Sequence, residues 1–167
     1  MIKVTLTNEI LKCISEIDEN RFSLSTIKLP PVTKNKLRKN SKKKSSYASN
    51  KIEGNPLTEK QANEAIDCDP HKHFLKPEQE VRNYFLALNF LEEKLNKKEP
   101  FSKKMILDVQ AIVEKGVGKE KIGLRGPMPP GVLFAVYDSD MGAPEYIPPE
   151  YIDIPEFLDE LVEYVNT

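Results

Sequence analysis

The sequence predicts a mainly helical fold with one β-hairpin inserted late in the chain. Two observations carry this. Apolar residues recur at three- and four-residue spacing in four segments, with helix-starting residues (Thr7, Pro77, Ser102, Asp153) at or before their beginnings. One stretch alone, Gly131 to Ile147, turns β-rich and is broken by a turn at Asp138–Gly142. The 167 residues suit one domain with a real core; 39% are hydrophobic and 31% charged, the profile of a soluble globular chain.

Taken in order, residues 1–6 form a short β-prone lead-in, and Thr7 caps a helix with Ile10, Leu11, Ile14 and Ile17 on one face. Glu19-Asn20 is expected to end it, and Leu29-Pro30-Pro31 marks a turn. A helix of about five turns should follow from Thr33 to Ile52, with a lysine-rich exposed first half and a docked second half. Gly54 and Asn55 tolerate a left-handed cap and Pro56 forbids continuation. Thr58 with Gln61 is a capping-box pattern that opens a helix to about Ile66.

The strongest helix runs from Pro77 to Asn96, with Val81, Tyr84, Phe85, Leu88 and Leu91 as its stripe. Ser102 opens another to about Lys115, with Ile106, Val109, Ile112 and Val113 inward and Gly116 and Gly118 closing it. After the hairpin, whose second strand is Pro144 to Ile147, an acidic helix from Asp153 to Val165 carries Phe157, Leu158, Leu161 and Val165.

Charge and cysteine usage exclude several function classes. The net charge of −1 gives no reason to expect a nucleic-acid or membrane partner. Lys34 to Lys44 is basic, with seven Lys or Arg residues, and reads as the solvated face of a helix; a nucleic-acid-binding role for it would show as steep salt dependence. Cys13 and Cys68 lack metal spacing and suggest reduced thiols, and His71 and His73 lack a third ligand at a useful distance, so no metal site is expected. Without a signal-like start or a long apolar run, the expected location is the cytoplasm.

Glu53 stands out. It falls in the last turn of its helix, where the macrodipole is negative and a carboxylate would welcome a cation from elsewhere. Ser49 lies one turn back on the same face. The run Ser49-x-x-x-Glu53-Gly54, and the longer SNKIEGNPLT, resembles the inhibitory motif of Fic-family proteins, enzymes that move AMP from ATP onto a protein hydroxyl. Three further stretches are similar in order and spacing. These are the leading helix Thr7–Asn20, the run Glu80-Val-Arg-Asn-Tyr-Phe-Leu-Ala-Leu88 against E-V-x-N-Y-x-x-A-L, and Gly131–Asn166 against the family's flap with Tyr146-Ile-Pro-Pro149.

This resemblance implies a Fic-type helical bundle, with residues 1–76 as an N-terminal region bearing the inhibitory helix and residues 77–167 as the first part of the core. It also implies that Glu53, supported by Ser49 and Gly54, blocks a γ-phosphate-gripping arginine. The flap would dock a target segment by strand addition, with Val132, Leu133, Phe134, Tyr146, Ile147 and Pro148 as its residues.

The family's catalytic signature, H-P-F-x-(D/E)-G-N-G-R-x-x-R, does not occur in the 167 residues, and Gln110 stands where many relatives have His. AMP transfer needs a base, helix-end amides for phosphates, a carboxylate for Mg²⁺ and an arginine for the leaving group. The expectation is therefore an N-terminal piece of an AMP transferase, cut before its catalytic loop, inactive by itself and exposing an apolar patch where the rest would pack. ATP and Mg²⁺ are implied for a full-length form only, together with an unidentified protein substrate and with homo-oligomerisation left open. The alternative is an antitoxin-like regulator that offers Glu53 in trans to a separate Fic protein.

Overall fold

The computed structural model describes residues 5–69, 72–118, 122–132, 135–137 and 144–167. They form helices α1 (Asn8–Thr26), α2 (Pro31–Ile52), α3 (Glu59–Asp67), α4 (Lys76–Asn96), α5 (Lys103–Val113) and α6 (Ile154–Asn166). Strands β1 (Val136–Tyr137) and β2 (Pro144–Tyr146) form one antiparallel hairpin. The mainly helical fold with one late hairpin is as the sequence predicts.

Contacts divide the chain into two units, Met1–Ser41 and Lys42–Thr167. The first holds α1 and the start of α2. Thr7 caps α1, its hydroxyl accepting from the Ile10 amide at 3.2 Å. The helix does not stop at Glu19-Asn20 but continues to Thr26. Neither of those residues breaks a helix; what ends it is the approach to Leu29-Pro30-Pro31. Ile10, Leu11, Ile14 and Ile17 share a face as expected, and all four are exposed.

In the second unit, α4 is the central element, packed against both α3 and α5, and α6 adjoins α5. Thr58 and Gln61 make the reciprocal capping box at the start of α3. Pro77 sits in the first turn of α4, one residue later than its start at Lys76, and Ser102 caps α5 by accepting from the Met105 amide at 3.2 Å. The core is small and partly polar. Ala62, Ala65, Val81, Ala87 and Met105 are its apolar members, and Ser46, Asn55, Arg82 and Asn83 are buried with them. Of the predicted α4 stripe only Val81 is fully buried; Tyr84, Phe85, Leu88 and Leu91 are half-buried, as are the four predicted inward residues of α5.

The basic run of α2 does not remain uniformly solvated. Lys42 reaches Glu92 at 2.7 Å and Asn89, and Lys43 pairs with Asp67, which fastens this part of α2 by its charges. On the surface of α4, hydrogen bonding and charge from Lys97 hold the Glu93 carboxyl below its ordinary range, and Glu93 raises Lys97 in turn.

The end of α4 holds a residue under conformational strain. Lys98 donates to Leu95 O at 3.0 Å and Glu99 to Lys94 O at 3.1 Å, the paired bonds of a Schellman cap, with Lys98 at φ 55°. A side chain in that left-handed position clashes with the following carbonyl, which glycine avoids. Lys98→Gly is therefore expected to raise stability by about 1 kcal/mol, read as a higher urea midpoint; an unchanged or lower midpoint would contradict it.

The hairpin is shorter than predicted. Val132 donates to Pro129 O at 3.1 Å, and Gly131 has φ 79°, so Pro129–Val132 is a type II turn with proline and glycine at its two central positions. That turn occupies the residues expected to start the first strand. Val136 faces Tyr146 and Tyr137 faces Pro144, with a register irregularity between Val136 and Tyr137. Asn166 then ties the end of α6 to Phe101, accepting from its amide at 3.2 Å and donating to its carbonyl at 2.9 Å. Lys103 and Asp159 add an ion pair at 2.6 Å. Phe157, Leu161 and Val165 of α6 are exposed, and only Leu158 of the predicted four is half-buried.

Candidate functional site

The turn after α2 is built by the sequence that follows Ser49. Asn55 donates its amide N–H to Asn50 O at 2.9 Å and Gly54 to Lys51 O at 3.1 Å, a second Schellman cap. Gly54 takes the left-handed position with φ 85°, and open space surrounds the point where a Cβ would project. Glu53 is thereby placed at the C-cap, at the negative end of α2. It is exposed, and among the described residues nothing pairs with its carboxylate.

Asn55 does more than tolerate a turn. It is 7% exposed. Its Nδ2 donates to Pro77 O at 3.0 Å and to Glu80 Oε2 at 2.9 Å, and its Oδ1 accepts from the Leu57 amide at 3.1 Å. The last bond is an Asx turn. The Ser49 hydroxyl donates to Tyr84 Oη at 2.9 Å. Its engagement with α4 leaves Glu53 connected to Ser49 only through the backbone, at 3.3 Å from Glu53 N to Ser49 O.

Tyr84 and Glu80 also line an open cleft of about 320 Å³, with Lys76, Val113, Glu114 and Val117 as its other walls. Asn83, the residue before Tyr84 on α4, holds the far wall: its Nδ2 donates to Val113 O and Lys115 O, both at 2.8 Å. Gln110 has a structural partner too, since its side chain brackets Gly123, accepting from its amide at 3.1 Å and donating to its carbonyl at 3.4 Å.

Of the predicted flap residues, Val132, Tyr146 and Ile147 are exposed and Pro148 is half-buried, while Leu133 and Phe134 lie outside the described residues. Both strands are exposed along their length. Among the described residues no hydrogen bond or ion pair joins residues 49–58 to the flap. His71 also lies outside the described residues. No three metal-ligating side chains converge among the described residues, and none of their helices is long and apolar enough to cross a membrane.

Sequence reasoning missed Asn55 as an anchor and Tyr84 as a partner of Ser49. The signal for Asn55 was local, an Asn two residues before an N–H it can accept from. That for Tyr84 was not, since thirty-five positions separate it from Ser49.

No family model matches the sequence, and no curated protein does. A solved structure does match the fold: that of a Fic family protein from Desulfovibrio desulfuricans G20, with a TM-score of 0.66 and 20% sequence identity. The match covers 98% of this chain and 47% of that one, so the chain spans about half the length of its structural neighbour. This chain, along nearly all of its length, shares its fold with part of a Fic family protein.

Proposed function

We propose that these residues form the inhibitory and target-docking part of a Fic-type protein AMP transferase, with Glu53 as the brake. One observation carries the reading: Glu53 is exposed, lacks a partner among the described residues, and stands at the negative end of α2 on a turn that is firmly anchored. A carboxylate so placed gains by accepting an arginine from outside the described residues. The fold shared with a Fic family protein and the SNKIEGNPLT run support the same role. The exposed hairpin edge supports target docking by main-chain pairing, which selects an extended segment rather than a particular side chain.

The side chains described do not fit an ATP–Mg²⁺ complex. No metal-ligating cluster forms among the described residues, and the signature that would supply base, phosphate-binding amides and arginines is not in the sequence. No step of AMP transfer is therefore assigned to residues of this chain. Their part is to hold Glu53 and to present the flap.

The test uses the native polypeptide that carries this sequence, captured from its own cells, weighed intact and assayed with α-labelled ATP and Mg²⁺. A mass well above 19.1 kDa goes with AMP transfer that Glu53→Gly raises about tenfold or more, a change of about 1.4 kcal/mol. A mass near 19.1 kDa would favour the regulator acting in trans, which predicts suppression of a separate Fic protein and its loss with Glu53→Gly. No effect of Glu53→Gly in either assay would overturn the assignment of the brake.

A further inference from the structure

We propose that a two-point clasp on α4, made by Asn55 and Tyr84, positions Glu53 and is the element that must open for the brake to release; this rests on the function proposed above. The clasp points lie on either side of Glu53 in sequence. Four residues before it, Ser49 donates to Tyr84 Oη at 2.9 Å. Two residues after it, Asn55 donates to Glu80 Oε2 at 2.9 Å and to Pro77 O at 3.0 Å.

Glu80 and Tyr84 are four apart on α4 and so lie on one face, one turn from each other. Both ends of the turn therefore rest on a single rigid stripe. The Asn55–Glu80 bond has a carboxyl acceptor and is 7% exposed at Asn55, which makes it the stronger point. Ser49–Tyr84 joins two neutral hydroxyls and is the weaker.

A C-cap residue ordinarily frays, because its helix turn is held by few bonds. Here fraying would have to break the Schellman bonds, the Asx turn and both clasp points together. The backbone that carries Glu53 is thus held at a fixed position and not on a loose end. Its preorganisation lowers the entropy cost of catching a cation. Tyr84 and Asn55 are positioning residues, acting through the turn.

Three variants test this: Asn55→Ala, Tyr84→Phe, and the pair Asn55→Asp with Glu80→Gln, which exchanges donor and acceptor across the stronger point. Two readouts are needed. Amide hydrogen exchange in this chain reports the clasp itself; Asn55→Ala is expected to speed exchange at Gly54, Asn55 and Leu57 about tenfold or more, with α4 amides changed less than about twofold. AMP transfer by the polypeptide that carries the sequence, or inhibition in trans, reports the brake.

Asn55→Ala and Asn55→Asp alone should relieve suppression although Glu53 is present, Tyr84→Phe should relieve it partly, and the exchanged pair, which remakes the bond to position 80 but not the one to Pro77 O, should restore it in part. A merely structural role would not give that restoration. Should Asn55→Ala disturb folding, Tyr84→Phe removes only a hydroxyl and keeps the test open. Unchanged exchange at the turn would overturn the clasp. So would intact suppression in Asn55→Ala and Tyr84→Phe when Glu53→Gly releases it. If Glu53→Gly itself releases nothing, the function proposed above fails, whatever exchange shows of the clasp.

Discussion

Replacing Asn83 with alanine is expected to cost the fold about 3 kcal/mol, a large share of a domain's ordinary stability. Asn83 is 1% exposed and its side chain bonds three partners. Its amide nitrogen serves the carbonyls of Val113 and Lys115, both at 2.8 Å, and its oxygen accepts from Gln79 at 2.7 Å. Those carbonyls belong to the end of α5 and the turn after it, where a helix has no amides of its own to offer. Truncation leaves three polar groups without partners. Each costs about 1–3 kcal/mol when water cannot reach it. Lys115 is exposed and Gln79 and Val113 are half-buried, so water reaches these groups in part, which keeps the sum near the lower end. Asn83→Asp should be at least as damaging, because it sets a buried acceptor against two carbonyls. Urea unfolding at constant slope measures both; a loss under about 0.5 kcal/mol for Asn83→Ala would contradict the bracket.

How far these bonds were legible in the sequence depended on their range. Thr7, the Thr58–Gln61 box, Ser102 and Gly54 act within four residues, so their residue types announced them, and the structure has each in place. The helix stripes were also legible, because periodicity is a property of the segment itself. Depth was not. Val81 is buried while Tyr84 and Leu91 of the same stripe are only half-buried, since burial depends on what α3 and α5 bring across.

The polar core was invisible for the same reason. Asn55, Arg82 and Asn83 read as surface residues by type, and each is buried because a distant carbonyl or carboxylate awaits it. The Glu53 site was half legible: its helix-end position followed from Gly54 and Pro56, whereas its anchoring to Glu80 and Tyr84 did not. The hairpin start was missed although its cause was local, because Pro129-Pro130-Gly131 spells a type II turn that outweighs the β-prone residues after it.

Arg82 should be nearly as sensitive as Asn83, and in a way that separates shape from charge. Its guanidinium donates from one nitrogen to Ala65 O and, at 3.1 Å, to Cys68 O, which lie in the last turn of α3 and at its C-cap. A cation there also meets the negative end of the α3 dipole. The same group lies over the Phe74 ring, 4.1 Å from its centre, which closes the loop after α3 onto α4. Only 9% of Arg82 is exposed, so its desolvation is offset by these partners and by a longer bond to Ile66 O at 3.5 Å. Arg82→Ala removes cation, donors and stacking at once and is expected to lose about 3 kcal/mol. Arg82→Lys keeps the charge but neither the planar fork nor the flat face that stacks on Phe74. It should recover less than half of the loss. If charge at the helix end were the main contribution, lysine would restore most of the stability and added salt would weaken the native protein. If the flat face over Phe74 is what holds, lysine stays close to alanine and salt changes little. The geometry, with the guanidinium 4.1 Å from the Phe74 ring centre, predicts the second result.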